Sequence, residues 1–293
     1  MLSAPVQHSL EQALGAVLVA QEPLAGGCIA PVYRLHLEDG RDVVAKLAPG
    51  DRTGDQGDGA AALVLEAFML QSLAEAGWPT PAVLFSSKDC LVLKFIAHDG
   101  RCGNDGEKAA GEMLAALHGQ RQPGFGFSRD TAIAGLPQAN PVSDHWIPFF
   151  AEHRLIAMAR QAEAAGTLDA TDRRRVERLA EGIDRWLLEP EHPSLLHGDL
   201  WGGNVLFDDG RVAALIDPAC YWGHAEVELA FTTLFSTFGA AFFAAYQRTR
   251  PLADGFFEER RDLYNLYPLL VHTRLFDGHY RASVRRLLSR FGV

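Results

Sequence analysis

Apolar and polar residues first alternate regularly at Val32-Tyr33-Arg34-Leu35-His36-Leu37. A period of two is the mark of a strand with one buried face. Asp39-Gly40 has hairpin-turn chemistry, and Asp42–Leu47 reads as the returning strand. Upstream, residues 8–20 read as a short amphipathic helix and Pro23–Cys28 as a glycine turn. Residues 50–59 hold four glycines and three aspartates, the composition of a mobile loop. A helical pattern then runs over 60–76, with Glu66 among apolar neighbours and Gly77 and Pro79 as its stop. Val83–Ser86 and Cys90–Ile96 are two further strands around Lys88-Asp89.

Beyond residue 97 the pattern turns helical, at 105–119, 144–165, 169–188, 224–248 and 256–290, with strands around Leu195 and at 212–216 and a proline-rich loop at 134–141. The expected class is α+β with two lobes. Residues 1–97 make a small antiparallel sheet lobe with one main helix, and 98–293 a larger, mostly helical lobe. A nucleotide-binding cleft between lobes is the expected site in such an architecture.

The 293 residues are 48% hydrophobic and 22% charged, enough for a sizeable core. Net charge of −10 argues against a nucleic-acid partner, since there is no basic excess to displace counterions from phosphates. Cys28, Cys90, Cys102 and Cys220 have no zinc or disulfide-framework spacing, which suits a cytoplasmic protein. Residues 229–247 are uncharged, but their threonines, Ser236 and Gly239 favour a buried helix pair broken near Gly239 over a membrane span. No membrane partner is expected.

The chemistry concentrates at Leu195-Leu196-His197-Gly198-Asp199-Leu200-Trp201-Gly202-Gly203-Asn204 and Leu215-Ile216-Asp217-Pro218. The spacing fits the kinase pattern H-R-D-x-x-x-x-N followed by D-F-G, with Gly198 for Arg and Asp217-Pro218-Ala219 for D-F-G. Asp199 is then the general base taking the acceptor hydroxyl proton, and Asn204 and Asp217 are hard oxygen ligands for Mg²⁺ on ATP. His197 suits a structural role in the loop. Lys46, in Val43-Val44-Ala45-Lys46, matches the strand lysine that reaches phosphates, with Glu66 as its partner. Gly26 and Gly27 are candidate phosphate covers. Lys94, Phe95 and Ile96 fit the interlobe strand, where the Lys94 C=O and Ile96 N–H would read adenine. Trp201 and Trp222 are candidate platforms for sugar faces or cations. The short segment after Asp217 lacks an A-P-E and disfavours an extended peptide acceptor, so a small-molecule kinase is expected.

The chain resembles the fructosamine kinase (ketosamine-3-kinase) family, relatives of the aminoglycoside phosphotransferases, from about residue 8 to 280. The resemblance is carried by Gly26-Gly27-Cys28-Ile29, Phe125-Gly126-Phe127, Gly135-Leu136-Pro137-Gln138-Ala139-Asn140, and Trp146 with Phe149-Phe150 and Arg154-Leu155. It continues through His197–Trp201, Ile216–Ala219, Gly223-His224, Leu263-Tyr264, Leu266-Tyr267 and His272. It implies ATP- and Mg²⁺-dependent phosphorylation of the 3-hydroxyl of a ribulosamine, erythrulosamine or fructosamine, free or protein-bound, releasing the amine as deglycation repair. It also implies a monomer or a redox-dependent homodimer through Cys28. Departures from the family pattern are Ala30, Met69, Gly202, Ala225 and Glu228. The last two, where Arg and Asp are usual, are expected to alter how the catalytic loop is braced or which acceptor is taken. Competing expectations are an aminoglycoside- or choline-type phosphotransferase and a nucleotide-binding pseudokinase or redox module.

Overall fold

The computed structural model describes residues 2–24, 30–48, 59–276 and 278–293. The glycine turn with Gly26, Gly27 and Cys28 and most of the 50–59 loop lie outside these residues. The chain forms two compact units. The first takes residues 1–106, 134–136 and 203–219, and the second takes 107–133, 137–202 and 220–293.

The first unit is built on a five-stranded antiparallel sheet of order β1-β2-β3-β5-β4, with β1 Leu18–Pro23, β2 Val32–Leu37, β3 Asp42–Leu47, β4 Val83–Ser86 and β5 Cys90–Lys94. The helix expected over 8–20 is instead α1, Ala4–Leu14. Gly15 stops it by taking a left-handed φ of 65° and donating its N–H to the Glu11 C=O, which frees residues 18–23 to pair with β2 as an edge strand. Alternation along the sheet sorts the core. Leu35, Val43, Ala45, Cys90 and Val92 pack with Leu10 of α1, while Leu91 and Leu93 pack with Leu63, Ala67 and Leu70 of α2, Gly59–Glu75. β5 is therefore covered on both faces, which is why it reads as a continuous apolar run.

The expected division at residue 97 falls inside the leading segment of this unit. The hairpin of β9, Val205–Asp208, and β10, Arg211–Leu215, belongs to the same unit through main-chain bonds. The Leu215 N–H donates to the Pro79 C=O at 2.6 Å, and the Phe207 C=O accepts from both Asp99 and Gly100 at 3.0 Å.

α3, Asn104–Leu117, most of which belongs to the second unit, is followed by a short hairpin where a loop was expected: β6, Thr131–Ile133, and β7, Leu136–Gln138. Ala134 and Gly135, both at positive φ, make its turn. α4, Trp146–Phe150, runs through a π-helical turn at Ala151–Ile156 into α5, Ala157–Ala164. α6, Ala170–Glu181, starts at Asp169, whose carboxylate accepts the Asp172 N–H. β8, Ser194–Leu196, pairs antiparallel with β11, Tyr221–Gly223. The helical run expected at 224–248 is broken as anticipated into α7, Ala225–Leu234, and α8, Ala240–Thr249, and the 256–290 run ends in α9, Arg261–Leu275, and α10, His279–Arg290. Among the described residues no helix is long and apolar enough to cross a membrane.

Candidate active site

Lys46 lies on β3 beneath α2 and is 9% exposed. Its ammonium donates to Glu66 Oε1 at 2.6 Å and to the Asp217 carboxylate. Glu66 thus faces inward from a stretch of the helix with apolar neighbours, with its side chain 18% exposed, whereas that of Asp217 is 42% exposed. Burial alone would lower the Lys46 pKa, but the two carboxylates outweigh it and hold the ammonium above its ordinary range. Burial raises the Glu66 pKa against the pull of the Lys46 ammonium, and Asp217 is the more solvent-accessible of the two carboxyl groups.

Asp217 is held by its backbone. It adopts φ 54°, left-handed geometry that Asp tolerates better than most residues, two residues after the end of β10. The N–H of its neighbour Ile216 donates to the Asn204 C=O at 3.0 Å, so Asn204 and Asp217 belong to one hydrogen-bonded corner of the first unit. Asn204 closes the 3₁₀ turn Gly202–Asn204 and is buried.

At the end of β5, the Lys94 N–H is taken by the Ala82 C=O and the Phe95 N–H by the Asp42 C=O. β5 ends at Lys94, two residues short of the expected Ile96, so Phe95 and Ile96 lie beyond the strand. The Phe95 ring carries the Arg34 guanidinium 4.1 Å from its centroid. Among the described cysteines, Cys90 and Cys220 are buried and Cys102 is exposed.

In the second unit, His197-Gly198-Asp199 follows β8. His197 is fully buried, and its Nδ1 accepts the Asp199 N–H at 3.4 Å. The Asp199 C=O accepts from the Trp201 N–H at 3.1 Å. Gly198 stands at φ 83°, which explains glycine where the general kinase pattern has arginine. Its N–H donates to Glu228 Oε1 at 2.7 Å. The other Glu228 oxygen faces His118 Nε2 at 3.0 Å, and His118 Nδ1 faces the Tyr246 hydroxyl at 3.0 Å. Burial lowers the His118 pKa against the opposing pull of Glu228. The neutral ring then donates from Nε2 to the carboxylate and accepts from Tyr246 at Nδ1. Glu228 entered the sequence reading only as a departure, and His118 and Tyr246 carried no motif at all. Their roles come from packing.

Trp201 is 38% exposed, edge-on to Phe235 at 5.9 Å. Trp222 lies half-buried in β11 and exchanges two main-chain hydrogen bonds with Gly126. Of the predicted site residues, then, the first unit joins Lys46, Glu66 and Asp217 through side chains and ties Asn204 to them through the main chain. The second unit carries Asp199, Trp201 and Trp222.

The sheet unit with its Lys–Glu–Asp cluster, the helical unit with its His-Gly-Asp loop, and the order of both along the chain define an α+β, bilobal, kinase-like phosphotransferase. The model of the family described as "Fructosamine kinase" matches residues 2–291. A Synechocystis protein named as a probable ketoamine kinase is 34% identical over 97% of this chain and 95% of its own. The chloroplastic protein-ribulosamine 3-kinase of Arabidopsis thaliana is 35% identical over 69% of this chain, a match spanning 61% of the plant protein. A crystal structure from Thermobifida fusca, provisionally named a fructosamine-3-kinase, superposes with a TM-score of 0.84 at 32% identity, covering 97% of this chain and 98% of that one. The chain belongs to the fructosamine kinase family, and it is an ATP-dependent kinase.

Proposed function

We propose that this kinase transfers the γ-phosphoryl group of ATP to the 3-hydroxyl of a ketosamine, a ribulosamine, erythrulosamine or fructosamine adduct, and so initiates release of the amine. The observation that carries the reading is the buried Lys46, bonded at once to Glu66 and Asp217. A nucleotide kinase needs such a lysine, poised between a positioning carboxylate and a metal-binding one.

Asp199 accepts the proton of the attacking hydroxyl, a step worth typically about 10²–10⁴-fold when the base is positioned. Lys46, held by Glu66, neutralises phosphate oxygens. Gly26 and Gly27, outside the described residues, are the proposed phosphate covers, and Lys94, Phe95 and Ile96 are the proposed adenine contacts through the main chain. Asn204 and Asp217 would hold Mg²⁺. The donor set fits, because Mg²⁺ takes few protein oxygens and completes its shell with water and phosphate. Among the described residues no cluster of three His, Cys, Asp or Glu side chains offers a heavier metal cage. When bound, the ion supplies charge neutralisation at the phosphates. Trp201 and Trp222 flank the sugar. The proposed setting is cytoplasmic, as a monomer or as a homodimer linked by Cys28 under oxidation, with no nucleic-acid partner.

Ribulosyl-lysine with Mg-ATP is the test substrate, run beside an aminoglycoside panel. Wild type turns over the ketosamine. Asp199→Asn lowers kcat by at least about 10², and Asp217→Ala abolishes the Mg²⁺-dependent signal, both with an unchanged circular dichroism spectrum. Full turnover in either variant contradicts the assigned roles, and turnover of the aminoglycosides alone contradicts the acceptor.

A further inference from the structure

Several motif residues take no part in phosphoryl transfer as described, yet the structure gathers them around one side chain. Arg154 is fully buried on the π-helical turn. A guanidinium withdrawn from water costs several kcal/mol unless charge-assisted hydrogen bonds replace its hydration. Its bonded partners here are neutral: Nη1 donates to the Ala139 C=O at 2.8 Å and the His153 C=O at 3.0 Å, and Nη2 to Asn140 Oδ1 at 2.5 Å. Its flat face lies 3.9 Å from the Tyr221 ring centroid, with Phe149 at 4.7 Å and Tyr267 at 5.9 Å.

Among the described residues, Arg154 Nε and the Tyr221 hydroxyl are buried without a hydrogen-bond partner, while the amide and hydroxyl side chains around the cation bond to one another. Asn140 Nδ2 donates to Thr131 Oγ1 at 2.7 Å, and Gln138 Nε2 donates to the same hydroxyl at 2.9 Å. The Tyr267 hydroxyl donates to Gln138 Oε1 at 2.8 Å. Gly126 packs on the same segment so tightly that a Cβ there would lie 2.2 Å from the Pro141 carbonyl oxygen. A buried cation of this kind is a poor way to gain stability, since an apolar residue of similar volume does as well or better. Its geometric value is larger, because the planar fork and the ring face fix two directions at once.

Arg154 reaches outward by two routes. Through the ring face it holds Tyr221, which neighbours Trp222 and pairs across β11–β8 with Leu196, three residues before Asp199. Through Asn140 and Thr131 it connects to Gln138, whose Oε1 accepts from the Tyr267 hydroxyl. We infer that Arg154 is a positioning residue for the ketosamine. It clamps the Pro137–Asn140 segment, β11 and Tyr267 into one rigid wall that sets Trp222 and the Asp199 loop against the sugar.

This rests on the proposed acceptor, and the experiment separates the two. In purified full-length enzyme, Arg154→Met keeps the volume and removes the fork and charge. Its kcat/KM for ribulosyl-lysine falls about 10²-fold, the scale of an ångström of misplacement, while KM for ATP stays within about two-fold and Arg154→Lys recovers only part of the loss. Tyr267→Phe, a milder change that deletes one hydrogen bond, raises the ketosamine KM about three-fold and keeps the assay informative if Arg154→Met fails to fold. The inference is overturned if the folded variants keep the wild-type ketosamine KM and kcat, or if the ATP and ketosamine parameters change in parallel. Inactive wild type against ribulosyl-lysine would instead remove the acceptor assignment.

Discussion

At the scale of single residues, Lys46 shows how stability and function part company. Its ammonium and the Glu66 carboxylate are both largely withdrawn from water, and removing one partner of such a pair costs about 3–5 kcal/mol because the other charge stays behind. Lys46→Met should therefore lower both the thermal midpoint and ATP-dependent turnover. Adding Glu66→Leu should return most of the stability, since a buried pair replaced by apolar side chains is close to neutral, and should return none of the turnover. Denaturant titration beside the kinase assay separates the two effects. Recovered activity in the double variant would show that the lysine serves packing alone. Because Lys46 is held above its ordinary pKa, it is charged at every pH between 5 and 9 and adds no pH dependence of its own there. The Lys46–Glu66 pairing was legible from the order of strand and helix. The fixed backbone at Asp217 was not, because a left-handed φ in an aspartate leaves no mark in a pattern of apolar and polar letters.

At the scale of elements, strands β2 to β5 and helix α2 were readable because local period and tertiary burial agree. β1 was lost to a helical reading, since Leu18–Pro23 becomes a strand only through pairing with β2. β9 and β11 are three or four residues long, too short for a period to register. The start of α7 carries a pH prediction. His224 caps it, Nδ1 accepting the Glu226 N–H at 3.1 Å, and burial with nearby Arg260 and Arg250 lowers its pKa to about 3. An unfolded histidine titrates near 6.5. Between those values the unfolded chain binds the extra proton, so this contribution is complete above about pH 6.5 and shrinks as pH falls toward 3. At pH 5 the loss is about 2 kcal/mol, from roughly 1.5 units at 1.36 kcal/mol each. His224→Asn keeps a capping side chain and should flatten the fall in stability between pH 7 and 5 by that amount. Parallel pH profiles for variant and wild type would mean that the ring is protonated in the folded state.

At the scale of the whole molecule, the covalent order and the compact units do not coincide. The first unit contains residues 203–219, reached only after the chain has left it at residue 106 and threaded much of the second. That return delivers the Leu215–Pro79 and Asp99–Phe207 main-chain bonds, the Asp217 carboxylate at Lys46, and a packing of Gly106 against Gly210 where a Cβ would come within 2.5 Å of a carbonyl oxygen. A domain boundary read along the sequence is a single cut, and a single cut cannot represent a segment that comes back. The energetic consequence can be measured. A fragment ending at residue 97 keeps all five strands and α2 but loses those bonds and the second carboxylate on Lys46. Several main-chain hydrogen bonds at about 1 kcal/mol each are comparable with the 5–15 kcal/mol by which a whole domain is stable, so the fragment should melt well below the full chain with a broadened transition. Fusing residues 203–219 to residues 1–106 through a flexible linker should restore a cooperative transition. If the shorter fragment instead unfolds as sharply as the fused one and at the same temperature, the returning hairpin contributes chemistry to the first unit without contributing to its stability.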